Sequence, residues 1–220
     1  MLPKPSHAVE SPPPEWVRLA RPMATLAVIA WIACVAIGFY QLWAYSYKGA
    51  PQSLAPEFWP PDSSLEAPSQ RCVLLMFLHP ECPCSLSTLS ELDRLRALID
   101  RDVDIRLLFV RPALCPEGWE RGRLWNLATD MRGVSVAVDA DGREARRFRA
   151  RVSGETLLFD ANGRLMFSGG LTDSRGHEGT SLGAEAVLER VAGRASSVYR
   201  APVLGCGLLD PTDLDAKGGR

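Results

Sequence analysis

Residues 22–47 form a run of 26 positions without a single charged side chain. A helix that crosses a membrane needs about 20 consecutive apolar residues, so this run is long enough to span one. Its far end carries Trp43, Tyr45 and Tyr47, which are residue types enriched at the headgroup boundary. A cleaved signal peptide is the alternative, but its apolar core has about 7–15 residues and ends in small side chains. The run therefore predicts an uncleaved transmembrane anchor.

The charges that flank the run predict its orientation. Lys4, Arg18 and Arg21 precede it, and only Lys48 follows before Arg71. Because basic residues are retained on the inner side of a membrane, we expect the N-terminus in the cytoplasm and the remainder in the periplasm or exterior. The anchor would then lie in the inner, cytoplasmic membrane. A net charge of −1 gives no indication of a nucleic-acid partner.

Composition divides the chain into five parts. Residues 1–21 begin rich in Pro, Ser and charge, which predicts a disordered cytoplasmic tail. After the anchor, residues 48–70 contain five prolines and predict an extended linker. Residues 71–208 predict the globular domain, and residues 209–220 a flexible C-terminal tail.

The globular part alternates between strand and helix patterns. The predicted elements are a strand at 72–78, a helix at 85–101, a strand at 103–109, a helix at 117–131, a strand at 134–138, a short helix at 143–149, two strands at 156–160 and 164–168, and a helix at 181–193. Asn162-Gly163 between the last two strands is a strong hairpin signal. The order predicts an α/β fold with three layers, a mixed sheet flanked by helices.

Two cysteines, Cys82 and Cys84, lie at the turn between the first strand and the first helix. Free N–H groups and the helix dipole stabilise an anion there, and a thiolate is an anion. His79 precedes Cys82 by three residues; as a cation it would lower the pKa of a neighbouring thiol, and as neutral imidazole it could bind metal. Two interpretations stay open: a Cys82–Cys84 disulfide, or a monothiol Cys-x-x-Ser motif ending at Ser85.

The remaining cysteines leave the disulfide pairing open. Five lie outside the anchor, which contains Cys34: these are Cys72, Cys82, Cys84, Cys115 and Cys206. An odd number leaves at least one thiol unpaired in a monomer, which favours redox or metal chemistry. Cys206, in a Gly-Cys-Gly turn, is a candidate resolving thiol for Cys82 or Cys84, or a structural partner of Cys72 or Cys115.

A glycine-flanked loop at 175–179 carries His177. Loops of this kind place side chains over sites more often than they contribute to a core. His177 is therefore a candidate metal ligand or proton-transfer group, with ordering of the loop as the alternative role.

The order of strands and helices along the chain, with the cysteine motif directly after the first strand, resembles that of the thioredoxin fold. The stretches Val138-Asp139-Ala140-Asp141-Gly142 and Leu157-Leu158-Phe159-Asp160-Ala161-Asn162-Gly163-Arg164 are similar to membrane-tethered thioredoxin-like proteins of the TlpA and ResA type. Residues 71–208 resemble more closely the thioredoxin-like group labelled RedB. This likeness rests on His79-Pro80-Glu81-Cys82-Pro83-Cys84-Ser85, Phe167-Ser168-Gly169-Gly170, Ser174-Arg175-Gly176-His177-Glu178-Gly179 and Pro202-Val203-Leu204-Gly205-Cys206.

Two features depart from the usual thioredoxin pattern. The cysteine spacing is Cys-x-Cys rather than Cys-x-x-Cys, and Gly154 occupies the position of the usual cis-proline. That proline shapes the peptide-binding edge and keeps metal out, so its loss would ease metal binding. In the related copper-delivering Sco proteins, two cysteines and a distal histidine hold the metal.

The resemblance implies a membrane-tethered thiol–disulfide oxidoreductase that needs no cofactor. Cys82 would attack the disulfide of a protein partner and Cys84 would resolve the mixed disulfide, with Cys206 in reserve and His79 or His177 assisting proton transfer. The alternative is a Sco-like copper chaperone or redox sensor, in which Cys82, Cys84 and His177 would bind Cu(I).

Overall fold

The computed structural model describes residues 15–49, 54–99 and 102–209, which divide into two compact units with the boundary in the chain between Tyr45 and Ser46. The first unit is part of one long helix, α1 (Glu15–Tyr47). Its segment Pro22–Tyr47 is long and apolar enough to cross a membrane. The helix begins before the predicted start at residue 22, because residues 15–21 contain good helix formers such as Leu, Ala and Arg.

The second unit is a five-stranded mixed sheet with helices on both faces. Its strands are β1 (Cys72–Leu78), β2 (Val103–Arg111), β3 (Val134–Ala140), β4 (Glu155–Phe159) and β5 (Leu165–Gly169), in the spatial order β3-β2-β1-β4-β5. Strands β1, β2 and β3 are parallel, whereas β4 pairs antiparallel with both β1 and β5. The helices are α2 (Ser85–Leu98), α3 (Arg123–Asp130), α4 (Arg143–Arg147) and α5 (Leu182–Val191). The predicted order and fold class are confirmed.

The central strand β1 is buried on both faces, which explains its continuous apolar sequence. Leu74, Met76 and Leu78 belong to one core cluster, together with the apolar faces of α2 and α5. The alternate side chains of β1, from Val73 to Phe77, belong to a second cluster beside α4. The end of β1 is therefore held firmly between two layers, and the turn that follows it starts from a fixed position.

The segment 54–70 differs from the extended linker that composition predicted. Trp59 is buried in the second core cluster, where its ring makes edge contacts with Phe148 and Phe159 at centroid distances of 4.8 and 5.1 Å. The backbone N–H of Trp59 donates to the Gly163 carbonyl, and the backbone N–H of Leu165 donates to the carbonyl of residue 57. The prolines disfavour helix and strand in this segment, but the Trp59 side chain still packs in the core of the domain.

The helix predicted at 117–131 is shorter in the structure. Residues 112–122 form successive turns, and α3 begins at Arg123. Gly118 has φ +87°, a left-handed conformation that cannot continue an α-helix. The predicted tails lie mostly outside the described residues, which exclude 1–14 and 210–220.

Candidate functional site

The turn between β1 and α2 places Cys82 and Cys84 where the sequence predicted them. Cys82 N–H donates to the His79 carbonyl, and the first residue of α2, Ser85, donates its N–H to the Cys82 carbonyl, both at 3.1 Å. Cys84 is the N-cap of α2 and is half-buried. Cys82 lies deeper, with only 1% of its surface exposed.

The thiol in contact with Cys82 is Cys206. Its backbone N–H donates to Cys82 Sγ at 3.4 Å, and its side chain also hydrogen-bonds to that sulfur. The two residues are 124 positions apart in the chain. Of the open alternatives, the structure therefore brings Cys206 to Cys82 rather than to Cys72, which lies at the opposite end of β1, about 20 Å of strand away.

A C-terminal strap, residues 200–208, brings Cys206 to this position. Ala201 and Pro202 lie against the end of β5, where Ala201 N–H donates to the Ser168 carbonyl and Gly170 N–H to the Pro202 carbonyl. The strap then crosses to the turn before β4, and its Leu208 is buried in the second core cluster. It is thus an integral part of the domain.

Two serines complete the surroundings of the Cys82 sulfur. Ser85 Oγ and Ser153 Oγ are 2.7 Å apart, both buried, and Ser153 Oγ also accepts the His79 N–H at 2.7 Å. Burial acts to raise the pKa of Cys82, but hydrogen bonds from Ser85, from Cys206 and from Ser153 outweigh it, so this pKa is lowered.

The neighbouring thiol shifts in the opposite direction. Burial, together with the negative charge that develops on Cys82, raises the pKa of Cys206 to about 11. Of this pair, Cys82 is therefore the thiol that ionises first, and Cys206 is the donor that stabilises its thiolate.

Gly154 lies at the predicted position, in the turn that leads into β4. It has φ +90°, and its N–H donates to the Phe77 carbonyl at 2.8 Å. Proline cannot adopt this conformation and has no N–H to donate. No cis peptide bond occurs in the described parts of the chain.

Cys84 faces a positive charge. The Nη1 atom of Arg175 lies 4.0 Å from Cys84 Sγ and donates to the Gly205 carbonyl at 2.9 Å. Arg175 therefore links the outer thiol to the strap, one residue before Cys206.

His79 makes its side-chain contacts with Glu81 and Trp119. Its Nδ1 accepts the N–H of Glu81, and its ring packs edge-on against Trp119, with centroids 5.6 Å apart. Burial lowers the pKa of His79 more than the charge of Glu81 raises it, which favours the neutral imidazole. A neutral ring supplies no positive charge to Cys82.

His177 lies on an exposed loop, which Glu91 of α2 anchors by accepting the Gly179 N–H at 3.3 Å. Within residues 15–49, 54–99 and 102–209, no three side chains among His, Cys, Asp and Glu are grouped to hold a metal ion. The ligand set predicted for Cu(I), Cys82, Cys84 and His177, is thus not assembled, and we assign no step to a metal. A role of either histidine in proton transfer stays a prediction.

Sequence reasoning missed Ser153 and Arg175 as site residues. Ser153 adjoins Gly154, and Arg175 adjoins the His177 loop, so both lay beside motifs that had been singled out. Their connection to the thiols depends on the strap, for which the sequence offers no periodic pattern. The six cysteines are all free thiols in this structure.

No protein-family model and no curated protein matches this chain. Among solved structures, it is similar to a hypothetical protein from Sinorhizobium meliloti 1021, with TM-score 0.58 and 17% identity over 73% of this chain and 97% of that one. It is also similar to an uncharacterized conserved protein from Geobacillus kaustophilus, with TM-score 0.53 and 21% identity over 76% and 93%.

A third structure is the exposed lipoprotein thioredoxin Etrx1 from Streptococcus pneumoniae strain TIGR4, with TM-score 0.43 and 17% identity over 57% of this chain and 87% of that one.

The narrower likeness to the RedB-type group stays a prediction. Four of the strands, in the spatial order β2-β1-β4-β5 with β4 antiparallel to the other three, have the arrangement of the thioredoxin fold, and a cysteine lies at the turn after the central strand β1. The chain has a thioredoxin-like fold.

Proposed function

We propose that this chain is a membrane-tethered thiol–disulfide oxidoreductase in which Cys82 is the reacting thiol and Cys206 is the resolving thiol. The observation that carries the proposal is the contact between the two residues: the backbone N of Cys206 lies 3.4 Å from Cys82 Sγ, and the Cys206 side chain is hydrogen-bonded to the same sulfur. Cys84, which the sequence favoured as the resolving thiol, is the outer and more exposed cysteine.

The surroundings of Cys82 favour ionisation, which thiol–disulfide exchange requires. The attacking species is the thiolate, and hydrogen bonds from Ser85, Cys206 and Ser153 stabilise its charge. The raised pKa of Cys206, about 11, keeps that thiol protonated until Cys82 has reacted. Once Cys82 is in a disulfide its negative charge is gone, so one cause of the raised pKa of Cys206 is removed.

Two exchange steps complete the reaction. The Cys82 thiolate attacks a sulfur of the partner's disulfide; a Cys82–partner bond forms, the partner's S–S bond breaks, and one partner thiolate leaves. Cys206, as thiolate, then attacks the Cys82 sulfur, so that a Cys82–Cys206 bond forms and the second partner thiolate leaves. The partner gains two electrons and the protein loses two; the reverse sequence would oxidise a partner dithiol.

The tether places this chemistry outside the cytoplasm in our proposal. The span Pro22–Tyr47 carries no charged side chain; Lys4, Arg18 and Arg21 precede it, and only Lys48 follows it before Arg71. A domain in the periplasm or exterior would meet the oxidising conditions in which disulfides persist. Labelling of Cys84 in intact cells by a membrane-impermeant maleimide is the corresponding test, and protection of Cys84 until lysis would contradict this orientation.

A redox titration of the full chain in detergent, with alkylation and mass mapping of each cysteine, tests the proposal. We expect a reversible two-electron couple between about −120 and −270 mV that joins Cys82 to Cys206. Cys84→Ser should retain the couple and Cys206→Ser should lose it. A Cys82 that stays reduced and unpaired over this range would refute the oxidoreductase function, and a Cys82–Cys84 bond would refute the assignment of Cys206.

A further inference from the structure

We infer that the strap occupies, as an internal substrate, the groove in which Cys82 binds its partner, and that the partner supplies an extended segment whose reactive cysteine follows a glycine. The inference rests on the proposed function, because it specifies the substrate class of the same site. Its basis is the way in which residues 204–208 bind to the turn before β4.

The strap binds to this turn as an added β-strand. Ser153 N–H donates to the Cys206 carbonyl at 2.8 Å, and Leu208 N–H donates to the Arg151 carbonyl at 2.9 Å. Val152 and Gly207 form an antiparallel bridge between these two hydrogen bonds. Strand addition of this kind is a general mode of peptide recognition, in which backbone groups supply affinity and individual side-chain positions supply specificity.

The strap also presents its cysteine in the position of a reacting partner. Cys206 lies in the middle of the added strand, and its N–H and side chain both contact the Cys82 sulfur. A partner peptide bound in the same register would place its own cysteine at the same sulfur. Arg175 would hold the carbonyl before that cysteine, as it holds the Gly205 carbonyl at 2.9 Å.

Glycine is required immediately before the cysteine in this register. A Cβ atom on Gly205 would lie 1.9 Å from the Ser153 carbonyl oxygen, a backbone atom that cannot rotate away. A Cβ atom on Gly207, on the other side of the cysteine, would meet only the Leu209 carbonyl oxygen within 4 Å, at an ordinary 3.5 Å. The groove therefore selects glycine at the position before the cysteine, and it accepts a Cβ atom at the position after the cysteine.

Burial of Cys82 makes the strap and the partner mutually exclusive. With 1% of its surface exposed, Cys82 is not accessible to a partner disulfide while the strap is bound. The strap must leave for the mixed disulfide to form, and it must return for Cys206 to attack the Cys82 sulfur. That return breaks the Cys82–partner bond, and the partner's thiolate leaves as its strand is displaced from the groove.

The first test compares two glycine variants of the reduced full chain in detergent. Gly205→Ala should prevent the strap from binding and should increase the rate of alkylation of Cys82 by iodoacetamide at least tenfold, measured by mass mapping. Gly207→Ala, the matched control two positions away, should stay within twofold of the unaltered protein. An unchanged rate in a folded Gly205→Ala protein, judged by its thermal transition, or an equal increase in both variants, would overturn the inference.

A second measurement remains decisive if Gly205→Ala does not fold. The peptides Leu-Gly-Cys-Gly-Leu and Leu-Ala-Cys-Gly-Leu, blocked at both ends and activated with thionitrobenzoate, are reacted with the Cys206→Ser protein. We expect the first peptide to form the Cys82 adduct at least tenfold faster than the second. Equal rates would overturn the inference but would leave the proposed function standing. Absence of any adduct, together with absence of the two-electron couple, would instead refute the proposed function.

Discussion

Replacement of Ser85 by alanine should raise the pKa of Cys82, because the buried thiolate would lose a hydrogen-bond donor. Ser85 donates one of the hydrogen bonds that lower this pKa, and only 1% of its surface is exposed. A hydrogen bond to a charged group is worth about 1.5–3 kcal/mol, so the thiolate should lose stabilisation of that order relative to the thiol. The Cys206 and Ser153 donors remain in the variant, so we expect the pKa of Cys82 to move toward that of an ordinary thiol.

The assay is a pH titration of the full chain in detergent, followed by the NMR shift of cysteine labelled with ¹³C at Cβ. The Cys82 signal is identified by its absence in Cys82→Ser. Ser87→Ala is the matched control, because Ser87 is buried in the same helix but donates to the Cys84 carbonyl instead. A Cys82 titration midpoint that is equal in Ser85→Ala and the unaltered protein, or that moves equally in Ser87→Ala, would refute the role assigned to Ser85.

Three further predictions concern the stability of the domain, and urea unfolding measures each. Trp59→Ala should lower the free energy of unfolding by about 3–5 kcal/mol through loss of a buried aromatic contact. Phe58→Ala, at an exposed position, should change it by less than about 1 kcal/mol. Equal effects of the two substitutions would contradict the burial of Trp59 in the core. Burial acts to raise the pKa of Glu144, but four hydrogen bonds from Ser63, Ser64 and Arg147 outweigh it and the net shift is downward. The contribution of Glu144 to stability should therefore be present above about pH 4.5 and be lost on acidification through the folded-state pKa. A pH dependence of stability that is unchanged in Glu144→Gln would contradict this. Gly154→Ala should destabilise the domain by about 1–2 kcal/mol because of its φ of +90°, and a neutral result would show that the turn relaxes without cost.

Local patterns predicted most of the fold. The continuous apolar sequence of β1 indicated a strand buried on both faces, and Asn162-Gly163 correctly marked the β4–β5 hairpin, where Gly163 has φ +76°. The position of Cys82 at a strand-to-helix turn followed from the same local signals. These features depend on residues close together in the chain, so periodicity and turn chemistry were sufficient to find them.

The sequence offered Cys206 as a candidate partner of Cys82 or Cys84, or of Cys72 or Cys115, but it could not select the contact with Cys82. That contact depends on backbone hydrogen bonds of the strap to β5 and to residue 153, and backbone groups carry no sequence signature. The one sequence signal for this contact was Gly205, because glycine allows two backbones to approach closely. A glycine-rich segment near the end of a chain, however, also predicts a flexible tail. The prolines of residues 48–70 likewise indicated an extended linker, so they concealed that this segment places Trp59 in the core of the domain.

The separation of 124 residues between the two cysteines links redox state to the stability of the whole domain. A disulfide across that distance would restrict the unfolded chain by about 5 kcal/mol in the chain-entropy account, whereas a bond between Cys82 and its near neighbour Cys84 would close only a very small ring. Folding and disulfide formation are thermodynamically coupled. If the disulfide stabilises the folded chain by a given free energy, folding stabilises the disulfide against reduction by the same free energy. An oxidised domain would therefore unfold at a higher temperature than a reduced one, and unfolding would turn a stable disulfide into a reducible one.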